Sequence, residues 1–321
     1  MRNGDDMDIL KPEDIKKRFE GKFWVSPYSR ILAMTDGAVV ELVEDHARGT
    51  CYGGAAWEVH HYPKTSSLIY HARRDGPRNI FRTRIGETSL DLVPGLAAAG
   101  IEKVSTSKSE IRVQYSGLGG AGVAIAMARG QAEGVEQVEV YEWGGGGKRA
   151  RAAVVLPRYE KVVFGIDDTD SPESGATWAL ANEIGYTLGK EAGVYHLDHT
   201  INQLYPQNPH KTQNCVSIAI SFAVSAEKKD WLVSQVKDLL AEHTVSDETG
   251  LAVFSGIDVP EDLKRYSRMA KMRMVEVEDA RQAAKQAGII LYAVTGERGL
   301  IGAVAAIGFY DDPDSAVRVD V

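Results

Sequence analysis

Hydrophobic and polar positions alternate in short stretches through the first half of the chain and group into longer strand-like and helix-like runs in the second. Residues 28–43 read as two strands folded about Asp36-Gly37, a dipeptide that tolerates the positive φ of a tight hairpin. The same period of two predicts strands at 57–61, 67–72, 79–85 and 111–115. Glycines 117, 119, 120 and 122 then open a small-residue helix to about residue 133, and a strand follows at 138–141. Glycines 144–147 break the pattern before a strand at 152–156 that ends at Pro157. These signals predict a sheet-rich α+β domain over residues 1–158, with a short charged tail and one helix at its start.

The second half has a clearer order. A strand at 161–166, a helix at 175–191, strands at 196–204 and 215–224, a helix at 228–243 and a strand at 251–254 give β-α-β-β-α-β. That is the split βαβ of a ferredoxin-like, nucleotide-binding α+β domain, an antiparallel sheet covered on one face by two helices. Helices at 260–272 and 278–286 and strands at 289–295 and 301–308 would form an appended helix-and-strand subdomain. The second domain is therefore expected over 159–321, with its core at 159–256 and the appendage at 257–321.

Composition narrows the chemistry. Two cysteines in 321 residues exclude a disulfide framework and a Cys₄ zinc ribbon, and the eight histidines show no HExxH spacing. A formal net charge of −8 argues against a surface built mainly to hold nucleic acid. No stretch reaches the roughly 18 consecutive apolar residues of a membrane span, and the first thirty residues are charged where a signal peptide is apolar, so a cytoplasmic protein is expected.

The strand at 161–166 delivers Asp167, Asp168 and Asp170 to its end, and the following helix turns its N-terminus toward them. Carboxylates on a turn suit a hard cation such as Mg²⁺, and free N–H groups at a helix start suit phosphate oxygens. The alternative, an acidic cap and turn, needs one Asp rather than three. A long connection, Gln203 to Cys215, adds Lys211, Thr212 and Asn214 as donors, with two prolines fixing its shape; a rigid surface loop is its bland reading. Gly117-Leu-Gly-Gly-Ala-Gly122 fits the dinucleotide fingerprint, but tight helix–sheet packing explains it better among hairpin-linked strands. Cys51 reads as a buried, inert thiol rather than a nucleophile. His60 and His61 on a strand would face opposite ways and share no metal.

Three segments in register, Gly165-Ile-Asp-Asp-Thr-Asp-Ser171, Pro206-Gln-Asn-Pro-His-Lys-Thr-Gln-Asn214 and Arg298-Gly-Leu-Ile-Gly-Ala-Val-Ala-Ala-Ile-Gly308, resemble archaeal agmatinylcytidine synthetase over about half the chain. The resemblance implies ATP and Mg²⁺ as cofactors. It implies Asp167, Asp168, Asp170 and Lys211 as catalytic residues, the three Asp as metal ligands, and Gly165, Gly175, Thr177, Asn208, Thr212, Asn214 and Arg298 as nucleotide-binding residues. Gln213 stands where that family has Arg, and Gly175 to Thr177 lack its paired threonines. The full chain, including Cys51-Tyr-Gly-Gly-Ala-Ala-Trp57 and Gly175-Ala-Thr-Trp178, resembles methanogenesis marker protein 11, which implies a role in maturation or cofactor biosynthesis for archaeal methanogenesis.

The expected function is thus an ATP- and Mg²⁺-dependent enzyme, a phosphotransferase or ligase, that activates an acceptor. The net charge ranks a methanogenesis-related protein or coenzyme acceptor above tRNA. Basic stretches at Arg73, Arg74, Arg78, Arg82 and Arg84, and at Lys148, Arg149 and Arg151, are candidate contacts for that partner. The second expectation is an ATP-responsive assembly factor, and the third is a tRNA-modifying enzyme. No membrane partner is expected.

Overall fold

The computed structural model describes residues 7–212 and 214–319, in an α+β arrangement that divides into two compact units between Tyr159 and Glu160. The charged segment 1–6 and Gln213, both singled out from the sequence, lie outside the described residues.

The first unit contains strands β1 (Asp8–Leu10), β2 (Tyr28–Thr35), β3 (Val39–Ala47), β4 (Ile69–Asp75), β5 (Arg78–Arg84), β6 (Gly86–Glu87), β7 (Ala99–Thr106), β8 (Glu110–Leu118), β9 (Gln137–Gly145) and the first part of β10 (Lys148–Asp167). Its helices are α1 (Pro12–Arg18), α2 (Tyr52–Thr65) and α3 (Gly119–Val123), the last prolonged by one wide turn and one tight turn to Gln131. The β2–β3 hairpin forms where the sequence places it. Gly37 takes φ +94°, and Asp36 Oδ1 accepts from the amides of Ala38 and Val39 at 2.9 and 3.1 Å.

The strand predicted at 57–61 is instead the middle of α2. Ala55, Glu58 and Tyr62 make its buried face, a spacing of three and four, and over five residues that helical period mimics alternation. His60 and His61 therefore sit on a helix, where His60 Nε2 contacts Lys64 Nζ and His61 Nδ1 pairs with the Leu96 carbonyl at 3.0 Å. Pro157 does not end its strand either. Pairing of β10 with β9 stops at Val155, so Pro157 sits where no neighbour asks for its missing N–H, and β10 runs on to Asp167.

Buried ionic groups cross the core of this unit. Arg129, fully buried, donates to Glu44 at 2.7 and 3.0 Å and to Glu58 at 2.9 Å; Tyr115 donates to Glu44, while Tyr28 and Tyr62 donate to Glu58. Asn79 supplies a further donor to Glu58 at 3.0 Å.

In the second unit the end of β10 lies between β12 (Val216–Val224) and β13 (Gly250–Ser255), β11 (Val194–Gln203) pairs with β12, and β14 (Ile290–Ala293) pairs with β13, every pair antiparallel. Taken as four strands in chain order, β10 to β13 stand in the spatial order fourth, first, third, second. Val162, Phe164 and Ile166 point to α4 (Thr177–Leu188) and α5 (Lys229–His243), burying Ala181, Ile184, Leu188, Leu232, Val236 and Leu240. Val163, Ala219, Ala252 and Phe254 point the other way, to α6 (Glu261–Met272), α7 (Val277–Ala287) and α8 (Leu300–Ile307). The sheet is thus covered on both faces, not one. A short α9 (Pro313–Val317) follows.

Residues 301–308, expected as a strand, form α8 because the run is apolar all round and so carries no period. Its small residues let it lie directly on β10. A Cβ on Gly165 would collide with the Ala303 carbonyl oxygen. Gly165→Ala should therefore lower stability by about 3 kcal/mol through overpacking, read as a fall in the urea midpoint with an unchanged slope.

Candidate functional site

Beyond Asp167 the chain leaves the sheet and turns back on itself. Asp168 adopts φ 59°, a left-handed conformation that Asp tolerates better than most residues. Asp168 Oδ2 accepts from Arg298 Nε at 2.9 Å, Oδ1 from Ser246 Oγ at 3.3 Å, and its carbonyl from Thr249 Oγ1 at 2.8 Å. Asp170 is held from two directions, with Oδ1 accepting from Thr177 Oγ1 and Oδ2 from Thr212 Oγ1, each at 3.1 Å. Thr177 also accepts from Thr169 Oγ1, so the first residue of α4 is locked to the turn. Gly175, at φ +90°, closes against Asp170, where a side chain would meet the Asp170 Cα at 3.0 Å.

Asp167 is placed differently. Its carboxylate lies against Gly302, where any Cβ would collide with Oδ2. Burial, and after it the charges of Asp168 and Asp170, push this carboxyl well above the usual carboxylate range.

The connection after β11 forms the opposite wall. Asn208 Oδ1 accepts from the His210 amide at 2.9 Å and shapes the loop, Lys211 Nζ donates to the Pro206 carbonyl, and exposed Asn214 lines the opening. Cys215 closes the floor; burial and the nearby Asp167 push its thiol up to about 11, so it is no nucleophile at neutral pH. The cavity measures about 70 Å³.

The structure brings together Asp167, Asp168, Asp170, Asn208, Lys211, Thr212, Asn214 and Arg298 around this cavity, with Thr177 behind Asp170. Gly165 does not belong with them, since it is buried beneath α8 and serves packing. Nor do the three Asp form a ready cation cage: among the described residues no group of three His, Cys, Asp or Glu is arranged to hold a metal, because Asp168 and Asp170 are turned to separate partners. Sequence reasoning passed over the segment Thr244 to Thr249, whose Ser246 and Thr249 fix Asp168 and whose Glu248 accepts from the Arg298 amide at 3.1 Å. The polar run Ser246-Asp247-Glu248-Thr249 ahead of an apolar strand was the available signal.

Four members of the basic stretches pair with acids within the first unit. Arg78 pairs with Asp45, Arg82 with Glu41, and Arg149 and Arg151 both with Glu102. No described helix is long and apolar enough to cross a membrane.

With this geometry in view, the family model described as the TiaS TCKD domain matches residues 163–232. The chain is 47% identical over 294 residues to the uncharacterized protein MJ0921 of Methanocaldococcus jannaschii, covering 91% of this chain and 97% of that protein. It is 33% identical over 159 residues to the isoleucine-tRNA 2-agmatinylcytidine synthetase TiaS of Pyrobaculum neutrophilum, and 32% identical over 150 residues to the enzyme of the same name from Pyrococcus horikoshii. These two matches take in 47% and 46% of this chain and 35% of each enzyme, so the chain spans about a third of the TiaS length. The solved complex of TiaS with its isoleucine tRNA and ATP aligns over 46% of this chain and 36% of the other at 26% identity, with a TM-score of 0.41.

Proposed function

The chain belongs to the family of protein MJ0921, and on that premise we propose that its C-terminal unit binds ATP with Mg²⁺ and activates an acceptor by phosphoryl transfer. The observation that carries this reading is the convergence on one cavity of Asp167, Asp170 and Lys211, which lie inside the stretch 163–232 that matches a domain of TiaS, with Arg298 from beyond it. The strand order of β10 to β13 supports a ferredoxin-like description of the unit. Arg298 fixes Asp168, and Thr177 with Thr212 orients Asp170, so the turn is held rigid before any ligand arrives. Lys211 needs only to leave the Pro206 carbonyl to meet a phosphate. Mg²⁺ usually takes one or two carboxylates and completes its shell with water and phosphate oxygens, and Asp167 and Asp170 suit that role; when bound it would offset phosphate charge.

TiaS relatives are named for a reaction on an isoleucine tRNA, which moves tRNA ahead of the protein or coenzyme acceptor suggested by the net charge. The methanogenesis role enters this proposal through the marker-protein resemblance alone. The test is ATP turnover by the purified protein with Mg²⁺, with and without tRNA. Phosphate release that rises with tRNA supports the proposal with an RNA acceptor. Turnover indifferent to tRNA keeps the ATP site and rejects that acceptor. Absence of both Mg²⁺-ATP binding by calorimetry and turnover rejects the whole reading.

Lys211→Ala gives a sharper check. Turnover should fall about 100-fold through lost charge neutralisation, while an exposed Lys contributes under about 1 kcal/mol to folding. A variant that unfolds readily yet keeps its turnover would make the connection structural.

A further inference from the structure

An edge strand offers a row of unpaired N–H and C=O groups, and natural sheets blunt such edges with short strands, charges or breaks in register. The strands at the ends of the sheets are β1, β4, β6, β11 and β14. β1 has three residues and carries Asp8, and β6 has two and carries Glu87. The register of β4 slips between Ile69 and His71, and the strand ends in Arg73-Arg74-Asp75; that of β11 slips between His196 and Asp198. β14 has neither a charge nor a slip. Its ladder with β13 is regular from Ile290 to Ala293, and the Val294 amide carries it one residue further, to the Thr249 carbonyl at 2.9 Å. The run over residues 289–295 is Ile-Ile-Leu-Tyr-Ala-Val-Thr, without charge, proline or glycine. Such a segment on an open edge is an aggregation hazard unless something covers it.

The ladder also fixes which backbone groups are left over. Bonded residues alternate with unbonded ones along an antiparallel pair, so the bond from Val294 makes Tyr292 and Ile290 the residues that bond β13. The N–H and C=O groups of Leu291 and Ala293 therefore point to the open side. Among the described residues β14 pairs with β13 alone. Ile290 is 56% exposed, and Ala293 is exposed as well.

We propose that a second copy of this chain covers this edge, its β14 running antiparallel to the first about a two-fold axis at Tyr292. A two-fold axis asks only that a segment be complementary to itself. This register sets Leu291 of each copy against Ala293 of the other, and every outward N–H then meets an outward C=O. It sets Tyr292 against its own counterpart at an unbonded position, where opposed side chains stand closest, and Ile290 against the partner copy's Val294. Moving the axis to Leu291 would set Ala293 against Ile289, whose N–H already bonds the Ala284 carbonyl at 2.9 Å. The surface takes no part in the ATP reading and does not depend on it.

Sedimentation of the full chain over a concentration series is the first test, and a reversible dimer is expected. Ala293→Pro removes an outward N–H and leaves the ladder to β13 intact. It should weaken association about 30-fold, the effect of two symmetry-related hydrogen bonds, at an unchanged circular dichroism spectrum. Ile290→Lys should also weaken it, by placing a charge on the edge. Hydrogen exchange across residues 289–295 should slow as concentration rises. Tyr292→Cys should give a disulfide-linked dimer under mild oxidation in amounts that neither the parent nor Ile290→Cys reaches, because position 292 alone meets itself. A monomer at every concentration up to about 100 μM, a dimer indifferent to both Ala293→Pro and Ile290→Lys, or cross-linking at position 290 in preference to 292 would each overturn the proposal.

Discussion

Arg129→Met is expected to destabilise the first unit by about 5 kcal/mol, enough to leave it largely unfolded at neutral pH. The loss comes less from the ion pairs themselves than from what remains: Glu44 and Glu58, both buried, would face each other without a cation. The Arg129 guanidinium also lies 4.5 Å from the Tyr28 ring centre and 4.4 Å from that of Tyr115, contacts that a thioether replaces only in part. The pH dependence carries the signature. In the parent, Glu58 is depressed from 4.5 to about 2, so its contribution is complete above pH 4.5 and fades as pH falls toward 2. In Arg129→Met the sign reverses: with burial unopposed by the guanidinium, protonation relieves the fold and stability recovers on moving from pH 7 to 5. Urea midpoints at the two pH values measure this, and adding Glu44→Gln and Glu58→Gln should restore most of the loss. A single variant within about 1 kcal/mol of the parent, flat with pH, would show that the core absorbs the two carboxylates by other means.

Asp167→Asn is expected to lower ATP turnover at least 100-fold without lowering the melting temperature. Function and stability part company here for an electrostatic reason. Asp167 is raised well above 3.8 by burial and by Asp168 and Asp170, so its ionised form works against folding. Its folded value lies above its unfolded one, and the parent should therefore gain stability as pH falls from 7 toward 4, a gain that the asparagine variant lacks. Melting curves across that window, beside phosphate release, check both halves. A variant that turns over ATP normally would remove Asp167 from the site.

Much of the site was legible because its signals are local. An apolar strand that ends in Asp167-Asp168-Thr169-Asp170 announces a turn with clustered charge whatever surrounds it, and the loop from Gln203 to Cys215 is marked by its own prolines. What was not legible depends on distance or on missing period. Arg129 reads as one basic residue in a run of small ones, and its partners lie 85 and 71 positions away. The pairing of Arg78, Arg82, Arg149 and Arg151 is hidden in the basic stretches because their partners Asp45, Glu41 and Glu102 come from other strands. Residues 301–308 read as a strand because a uniformly apolar run fits either structure until the sheet beneath it is known. The strand predicted at 57–61 fails for a related reason, a window too short for a period of 3.6 to separate from one of two.

The contact of α8 with β10 supplies a rule for recognising distant relatives. Gly165 and Gly302 are 137 positions apart (302 − 165), yet each is confined to a hydrogen side chain by the same interface, one by the Ala303 carbonyl and the other by the Asp167 carboxylate. In an aligned chain, a side chain at position 302 would occupy the space of the Asp167 carboxyl, so such a chain must either shift its helix or abandon an acid at that place. Position 302 can thus be read in a genome without any structure, as a flag that separates chains able to keep the carboxylate at position 167 from those that have kept only the scaffold.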